Sequence, residues 1–418
     1  MTQPQKTGPD ARGPGDSRAP ADSRAPAARA PAAAGAPAAA GASPDVLVIG
    51  GGVIGAAVAF ALAGRGARVT VLERGSAGHE TSAVAAGRLS PQAEAEGPSP
   101  FLDFGLACRA RYGDWVREVS AAAAMPIDYR PTAVLNLALT PERVIELKAR
   151  RDWQRPLGLT AEWLPGDEAR RREPILAADL PGALLLPAEA WVDAASLSAA
   201  LVAAARRRGV RFIEPVTVTA IETTGGRVTG VRAGDEILAA GAVVLAAGAW
   251  SSRISGVPIA SDWITPRRGQ ILILRHVGPA LRHILYTHGA YVVPRAGDGT
   301  GSELIVGTTV EEAGYERVAT AGGLRSIVTA VARYAPAIEE AAIVSVAAGL
   351  RPQSRDGLPL LGPDARRPGL VFATGHFRNG ILLAPLSGEL VAEAIATGRT
   401  PDVLAPFLPD RVPDPATR

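Results

Sequence analysis

Between Asp45 and Gly75 a short apolar strand, a cluster of glycines, an alanine-rich helix and a second strand follow one another without interruption. Val46–Ile49 has the composition of a parallel strand buried on both faces. Gly50, Gly52 and Gly55 then spell G-x-G-x-x-G, a helical pattern runs from Val53 to Ala63, and Val69–Leu72 ends in Glu73. This order defines a βαβ unit that receives a dinucleotide. Gly50 permits the tight turn, Gly52 lets a pyrophosphate approach the backbone, and Gly55 lets the helix lie close to the strand. The helix N-terminus offers free N–H groups and a positive dipole end to the phosphates. Glu73 lies about 20 residues beyond the glycines, where an acid accepts both ribose hydroxyl hydrogens and repels a 2′-phosphate. These residues alone leave NAD and FAD open.

The uncharged stretch Val46–Gly64 also invites reading as a membrane span. A span needs about 20 apolar residues in one helix, and consecutive glycines oppose a helix here. The chain has 418 residues, 47% of them hydrophobic, enough for large cores, and a formal charge of only +3. No basic stripe interleaved with aromatics suggests nucleic acid. Cys108 is the single cysteine, so an intramolecular disulfide and a thiolate metal site are excluded. The five histidines show no paired spacing, and no metal is expected. Residues 1–44 lack Leu, Ile, Val, Phe, Tyr and Trp. Such a segment predicts a disordered Ala/Pro-rich tail. A transit peptide fits it less well, given its prolines and acids. The absence of an apolar leader segment and the single cysteine together predict a cytoplasmic protein.

Further along, helices are expected at Phe101–Ala122, Pro141–Trp153, Asp167–Arg172, Ala194–Arg208, Gly322–Tyr334 and Gly380–Ala396. Strands are expected at Thr132–Leu139, Val210–Ile213, Ala242–Ala247, Gln270–Arg275, Ala290–Pro294, Glu303–Val306 and Leu370–Ala373. Residues 216–239 read as a small antiparallel meander turning at Gly225-Gly226. The fold class is α/β: a Rossmann-like nucleotide domain (45–130, 185–255 and 345–400) interleaved with an α+β substrate domain on an antiparallel sheet (131–184 and 256–344). Residues 401–418 read as a C-terminal tail.

Three later segments add a resemblance. They are Thr81-Ser82-Ala83-Val84-Ala85-Ala86-Gly87-Arg88-Leu89-Ser90-Pro91-Gln92-Ala93-Glu94, then Ala348–Pro352 with Asp356–Gly362, and Gly375-His376-Phe377-Arg378-Asn379-Gly380-Ile381-Leu382-Leu383-Ala384-Pro385. Across roughly residues 45–400 the chain resembles the D-amino-acid-oxidase superfamily of flavoenzymes, with glycine oxidases of the thiamin-biosynthesis type as the nearest likeness. The resemblance implies non-covalent FAD. It places cofactor contacts at Val53, Ile54, Glu73, Arg74, Thr81, Ser82, Ala86, Gly87, Arg88 and Val216, and along His376, Phe377, Arg378, Asn379, Gly380, Ile381 and Leu382, beside Gly50, Gly52 and Gly55 of the turn. It places the substrate carboxylate on Arg351, with Tyr291, Arg378 and Tyr286 nearby. The family more often carries Met where this chain has Arg88, which either covers the flavin or contacts phosphate.

The chemistry agrees with these residue types. A guanidinium offers a planar fork of donors to a carboxylate, and a tyrosine hydroxyl can serve a remaining lone pair. With a neutral amine, hydride leaves Cα for the cofactor and no catalytic side chain is required. The helix from Gly380 is expected to aim its positive end at the flavin. The implied reaction oxidises glycine or a small amino acid to an imine and reduces dioxygen to hydrogen peroxide, supplying thiamin thiazole synthesis. The implied partners are the amino acid and dioxygen, with no nucleic acid or membrane, in a homo-oligomer for which a tetramer is one form. Alternatives are a dehydrogenase passing electrons to a quinone or carrier, a sarcosine-oxidase-like enzyme, and a non-catalytic flavin-binding scaffold. A covalent flavin would need a cysteine near the C-terminal motif, where there is none.

Overall fold

The computed structural model describes residues 44–295 and 302–413. The expected disorder of residues 1–44 falls outside them, Pro44 excepted, as does the end of the C-terminal segment. The described residues form one compact unit.

Val46–Ile49 is buried at every position, as its uninterrupted apolar run requires. It sits inside a six-stranded sheet in the order Leu360–Pro363, Leu370–Thr374, Ala242–Leu245, Val46–Ile49, Val69–Leu72 and Arg211–Ile213. All neighbours are parallel except the pair Leu360–Pro363 and Leu370–Thr374. The helix Val53–Ala63 is buried on nearly all sides, which is why its apolar character runs around the whole cylinder. It packs on the helices Ala194–Arg207 and Gly380–Thr397. A Cβ at Gly388 would lie 2.8 Å from the backbone of Ala57, so glycine sets how closely two of these helices approach. Gly380–Thr397, with its preceding turn from Phe377, is long and apolar enough to cross a membrane, yet more than half of it is buried inside the fold.

The second sheet has eight strands in the order Ala342–Ser354, Ile264–His276, Ser302–Gly307, Tyr291–Arg295, Ile284–Tyr286, Val134–Ala138, Gly182–Leu186 and Glu162–Pro165. Only the Ile284–Tyr286/Val134–Ala138 pair is parallel. Three differences from the sequence reading have physical causes. Ala342–Ser354 pairs along its length with Ile264–His276. The chain therefore returns to the nucleotide sheet near Leu360, and the expected boundary at 345 cuts through a strand of the other sheet. That strand is an edge, where Pro352 is tolerated, and its alanines give no clean alternation. Residues 79–100, where the sequence reading placed no helix or strand, are structured in part. They include the strand Arg88–Leu89, paired with Ala190–Val192, and the short helix Pro91–Glu94. The segment read as a C-terminal tail contains the turns Asp402–Phe407 and Pro409–Arg411, with Leu404 and Phe407 buried.

Candidate active site

One cavity of about 590 Å³ runs from the glycine turn to the face of the eight-stranded sheet. At its first end the turn is held as the sequence requires. Gly50 adopts φ +100°, and a Cβ there would lie 2.5 Å from the carbonyl oxygen of Ala246. A Cβ at Gly55 would lie 1.9 Å from the Gly50 carbonyl oxygen, so Gly55 serves the turn and does not face the cavity. Gly52 lines the cavity. The Ser82 hydroxyl accepts the N–H of Val53 at 3.0 Å, tying the loop to the helix start. The next N–H groups of this first turn have no acceptor within the helix.

Glu73 is buried at the strand end. Its carboxylate accepts the N–H of Gly51 at 2.7 Å and that of Gly75 at 2.8 Å. The carbonyl of Glu73 accepts the Val216 N–H at 2.7 Å, setting Val216 on the cavity wall. Arg74 also lines the cavity. It pairs with Glu80 at 2.6 Å and stacks on Trp250, 3.3 Å from the ring centre. Thr81 anchors the loop to the edge strand, since its hydroxyl donates to the Leu350 carbonyl and accepts the Leu350 N–H. Ile54, Ala86 and Gly87 complete this wall. A glycine cradle, a buried acid at a strand end and a helix N-terminus on one cavity fit FAD. They would hold its pyrophosphate and ribose at the turn and leave the cavity beyond for the ring system.

At the far end stand four charged side chains. Arg351 lies on Ala342–Ser354, opposite Arg267 of the neighbouring strand. Its guanidinium donates to the Thr309 carbonyl at 3.0 Å and the Thr308 hydroxyl at 2.6 Å, and it also bonds the Tyr291 hydroxyl. It lies directly over Gly269, where a Cβ would come within 2.1 Å of both terminal nitrogens. Burial pulls the Arg351 pKa below its ordinary value, and Arg378 acts in the same direction. Arg378 is partly exposed at the rim.

Arg88 is about nine-tenths buried and salt-bridged to Glu94. Its guanidinium carbon lies 4.4 Å from the ring centre of Tyr286 and 5.1 Å from that of Tyr291. Glu94 is held between Arg88 and Arg378, with one oxygen 4.0 Å from Arg378. Burial opposes its ionisation, but both guanidiniums and hydrogen bonds from Arg88 and Asn379 keep its carboxyl below the ordinary range.

His376 lines the cavity through its segment, yet its Nε2 is 3.0 Å from the Ser387 hydroxyl, and burial lowers its pKa to about 3. It is a neutral structural histidine. Phe377, at φ +47°, turns the chain so that Arg378, Gly380 and Ile381 reach the cavity. The helix Gly380–Thr397 therefore opens its N-terminus onto the site.

Besides Gly55, three expected site residues are off the cavity wall. Leu382 is buried in the core among the helices and is not on the cavity wall. Asn379 is off the wall too and reaches Glu94 instead. Tyr286 lies beneath Arg88, away from the cavity surface. The sequence reading also missed Glu94, Thr308 and Gly269, all cavity-lining. Glu94 had a visible signal, an acid six residues after an out-of-pattern arginine. Thr308 and Gly269 had none, because only the strand pairing brings them to Arg351. Among the described residues no cluster of metal-ligating side chains occurs.

Residues 45–394 match the DAO family of FAD dependent oxidoreductases. The chain belongs to this family and is an FAD-dependent oxidoreductase. It is similar to the glycine oxidase of Geobacillus kaustophilus (strain HTA426), with 37% identity over 87% of this chain and 96% of that protein. A crystal structure of glycine oxidase from Geobacillus kaustophilus superposes with a TM-score of 0.82 at 35% identity, covering 88% and 98% of the two chains. The bifunctional protein ThiO/ThiG of Synechocystis sp. (strain ATCC 27184 / PCC 6803 / Kazusa) is 34% identical over 88% of this chain, which spans 54% of that longer protein.

Proposed function

We propose that this enzyme oxidises glycine, or a similarly small amino acid, to the imine. Water then converts the imine to glyoxylate and ammonia, and dioxygen takes up the two electrons and two protons as hydrogen peroxide. For glycine the sum is glycine, dioxygen and water giving glyoxylate, ammonia and hydrogen peroxide. The observation that carries this reading is the buried Arg351 fork at the far end of the cavity that begins at the glycine turn.

Bound FAD supplies the hydride acceptor. Arg351 grips the carboxylate, and charge-assisted hydrogen bonds of this kind contribute about 1.5–3 kcal/mol each. The Tyr291 hydroxyl steadies the same carboxylate and the guanidinium. Thr308 and Thr309 fix the fork from behind, so orientation is set before substrate arrives. Arg378 closes the rim. The helix end at Gly380 favours negative charge developing beside it. No side chain is asked to remove a proton: His376 stays neutral and is engaged with Ser387, and the amine enters deprotonated. The similarity to glycine oxidases and to the ThiO/ThiG protein supports a role in supplying glycine imine for thiamin thiazole. On the same likeness we place the enzyme in the cytoplasm as a homo-oligomer, with a tetramer the form to look for by size-exclusion chromatography.

The test is purified yellow protein in air with glycine. The expected result is equimolar peroxide, glyoxylate and ammonia. A flavin that glycine bleaches but oxygen does not restore would instead make the protein a dehydrogenase.

A further inference from the structure

The nucleotide end of the cavity is walled by loops of the six-stranded sheet. Arg74 and Glu80 follow Val69–Leu72, and Ala249 and Trp250 follow Ala242–Leu245. Residues 308–320 belong to the other half of the fold. They leave the eight-stranded sheet after Ser302–Gly307 and run to the helix Ala321–Ala332. On the way they brace that wall from behind. The Tyr315 hydroxyl donates to the Ala249 carbonyl at 3.1 Å, and its ring centre lies 5.7 Å from that of Trp250. Trp250 carries the Arg74 guanidinium on its face, and Arg74 directly follows Glu73. Arg317 comes within 3.7 Å of Glu80, the partner of Arg74. Tyr315 and Arg317 are not themselves on the cavity wall.

The segment is pinned at both ends. Gln270, fully buried, donates to the Glu311 carboxylate at 2.7 Å and accepts the Thr320 N–H at 2.7 Å. The backbones of Glu311 and Arg268 exchange two hydrogen bonds. Thr308 and Thr309, which hold Arg351, lie before these pins and bond the Gln270 backbone. Between the pins the chain is irregular, and Glu312, Glu316 and Arg317 are exposed. Their ion pairs with Arg267, Arg268 and Glu80 each include a solvent-exposed partner, and such pairs contribute little. The Tyr315 ring and hydroxyl are thus the main hold of this middle stretch on the nucleotide half. Releasing them would free the wall behind Arg74 and leave the Arg351 fork in place.

We propose that residues 308–320 form a clasp over the nucleotide end of the cavity, with Tyr315 as the latch that sets how long FAD stays bound. Tyr315 is a positioning residue: it acts through Trp250 and Arg74. If FAD binds the closed clasp more tightly than the open one, FAD must in turn favour closure. The inference rests on FAD binding and not on which amine is oxidised.

The experiment titrates full-length apoprotein with FAD, following flavin fluorescence, and times release after dilution of the holoenzyme. Tyr315→Ala should raise the FAD dissociation constant at least tenfold, chiefly through faster release. Tyr315→Phe keeps the ring on Trp250 and should recover most of that loss. Arg317→Ala should stay within twofold of the parent. In the parent, trypsin reaches the bond after Arg317 when the middle of the segment lifts, so FAD should slow cleavage there at least tenfold. A dissociation constant and release rate for Tyr315→Ala within twofold of the parent, no recovery in Tyr315→Phe, or equal cleavage after Arg317 with and without FAD would overturn the assignment. If Tyr315→Ala does not fold, the cleavage comparison on the parent decides. None of these readouts needs turnover, so they decide the clasp even if glycine is not oxidised.

Discussion

Gly269 gives the most stringent check on how the carboxylate fork is built. The Arg351 guanidinium crosses this position so closely that a Cβ would sit 2.1 Å from Nη1 and Nη2 and 2.2 Å from Cζ. No real Cβ contact is that short, so Gly269→Ala must displace the guanidinium. The Gly269 φ lies outside the left-handed region, and the three atoms nearest the added methyl group all belong to the flexible arginine tip, so the strain falls first on that side chain. The variant should therefore fold and keep FAD, while Arg351 swings off Thr308 and Thr309. Losing one well-aligned charge-assisted bond to substrate costs about 1.5–3 kcal/mol. At about 1.4 kcal/mol per factor of ten, kcat/KM for the amino acid should fall by roughly 10- to 100-fold. Steady-state peroxide release gives the kinetic value, and the flavin absorbance ratio reports cofactor content. A kcat/KM within twofold of the parent, with full flavin content, would show that the position of Arg351 over Gly269 does not govern substrate binding.

Two further outcomes follow from the chemistry of single residues. Acid precipitation of the yellow holoenzyme should release all flavin into the supernatant, because Cys108, the only cysteine, is buried on the helix Pro100–Ala123 against the Leu383 carbonyl and does not line the cavity; colour retained in the pellet would indicate a covalent link. Burial raises the Glu189 pKa from 4.5 to about 7, with Arg109 only partly offsetting it. The unfolded carboxyl ionises first, so this group favours the fold below about pH 4.5 and loses that contribution as pH rises towards 7. The loss amounts to on the order of 3 kcal/mol. Denaturant titrations at pH 5 and pH 8 should show Glu189→Gln gaining stability relative to the parent at the higher pH, and an equal difference at both would remove Glu189 as the cause.

The nucleotide half of the fold was legible because its signals are local. Val46–Ile49, the glycines and Glu73 lie within one βαβ unit, and each element forms where periodicity puts it. The antiparallel half was less so. Ala342–Ser354 carries no alternation that marks a strand, and its identity comes from twelve residue pairs with a partner some 80 positions earlier in the chain. The same non-local pairing brings Gly269 and Thr308 to Arg351. Tyr286 is expected at the site from the family resemblance. Adjacent antiparallel strands pair it directly with Tyr291 on the same sheet face, where Arg88 lies over both rings and only Tyr291 reaches the cavity wall. Leu382 and Asn379 belong to a motif that mostly touches the cavity, but helical geometry turns Leu382 inward to the core.

The central claim is that a carboxylate anchored by Arg351 presents its Cα–H to a flavin seated along the glycine turn. The most direct measurement is anaerobic titration of the holoenzyme and of Arg351→Ala with glycine, following flavin absorbance. Full bleaching of the parent, with more than tenfold higher glycine needed for the FAD-replete variant, is the result expected here. Parent protein that stays oxidised at saturating glycine, or a variant that titrates identically to it, would contradict the account.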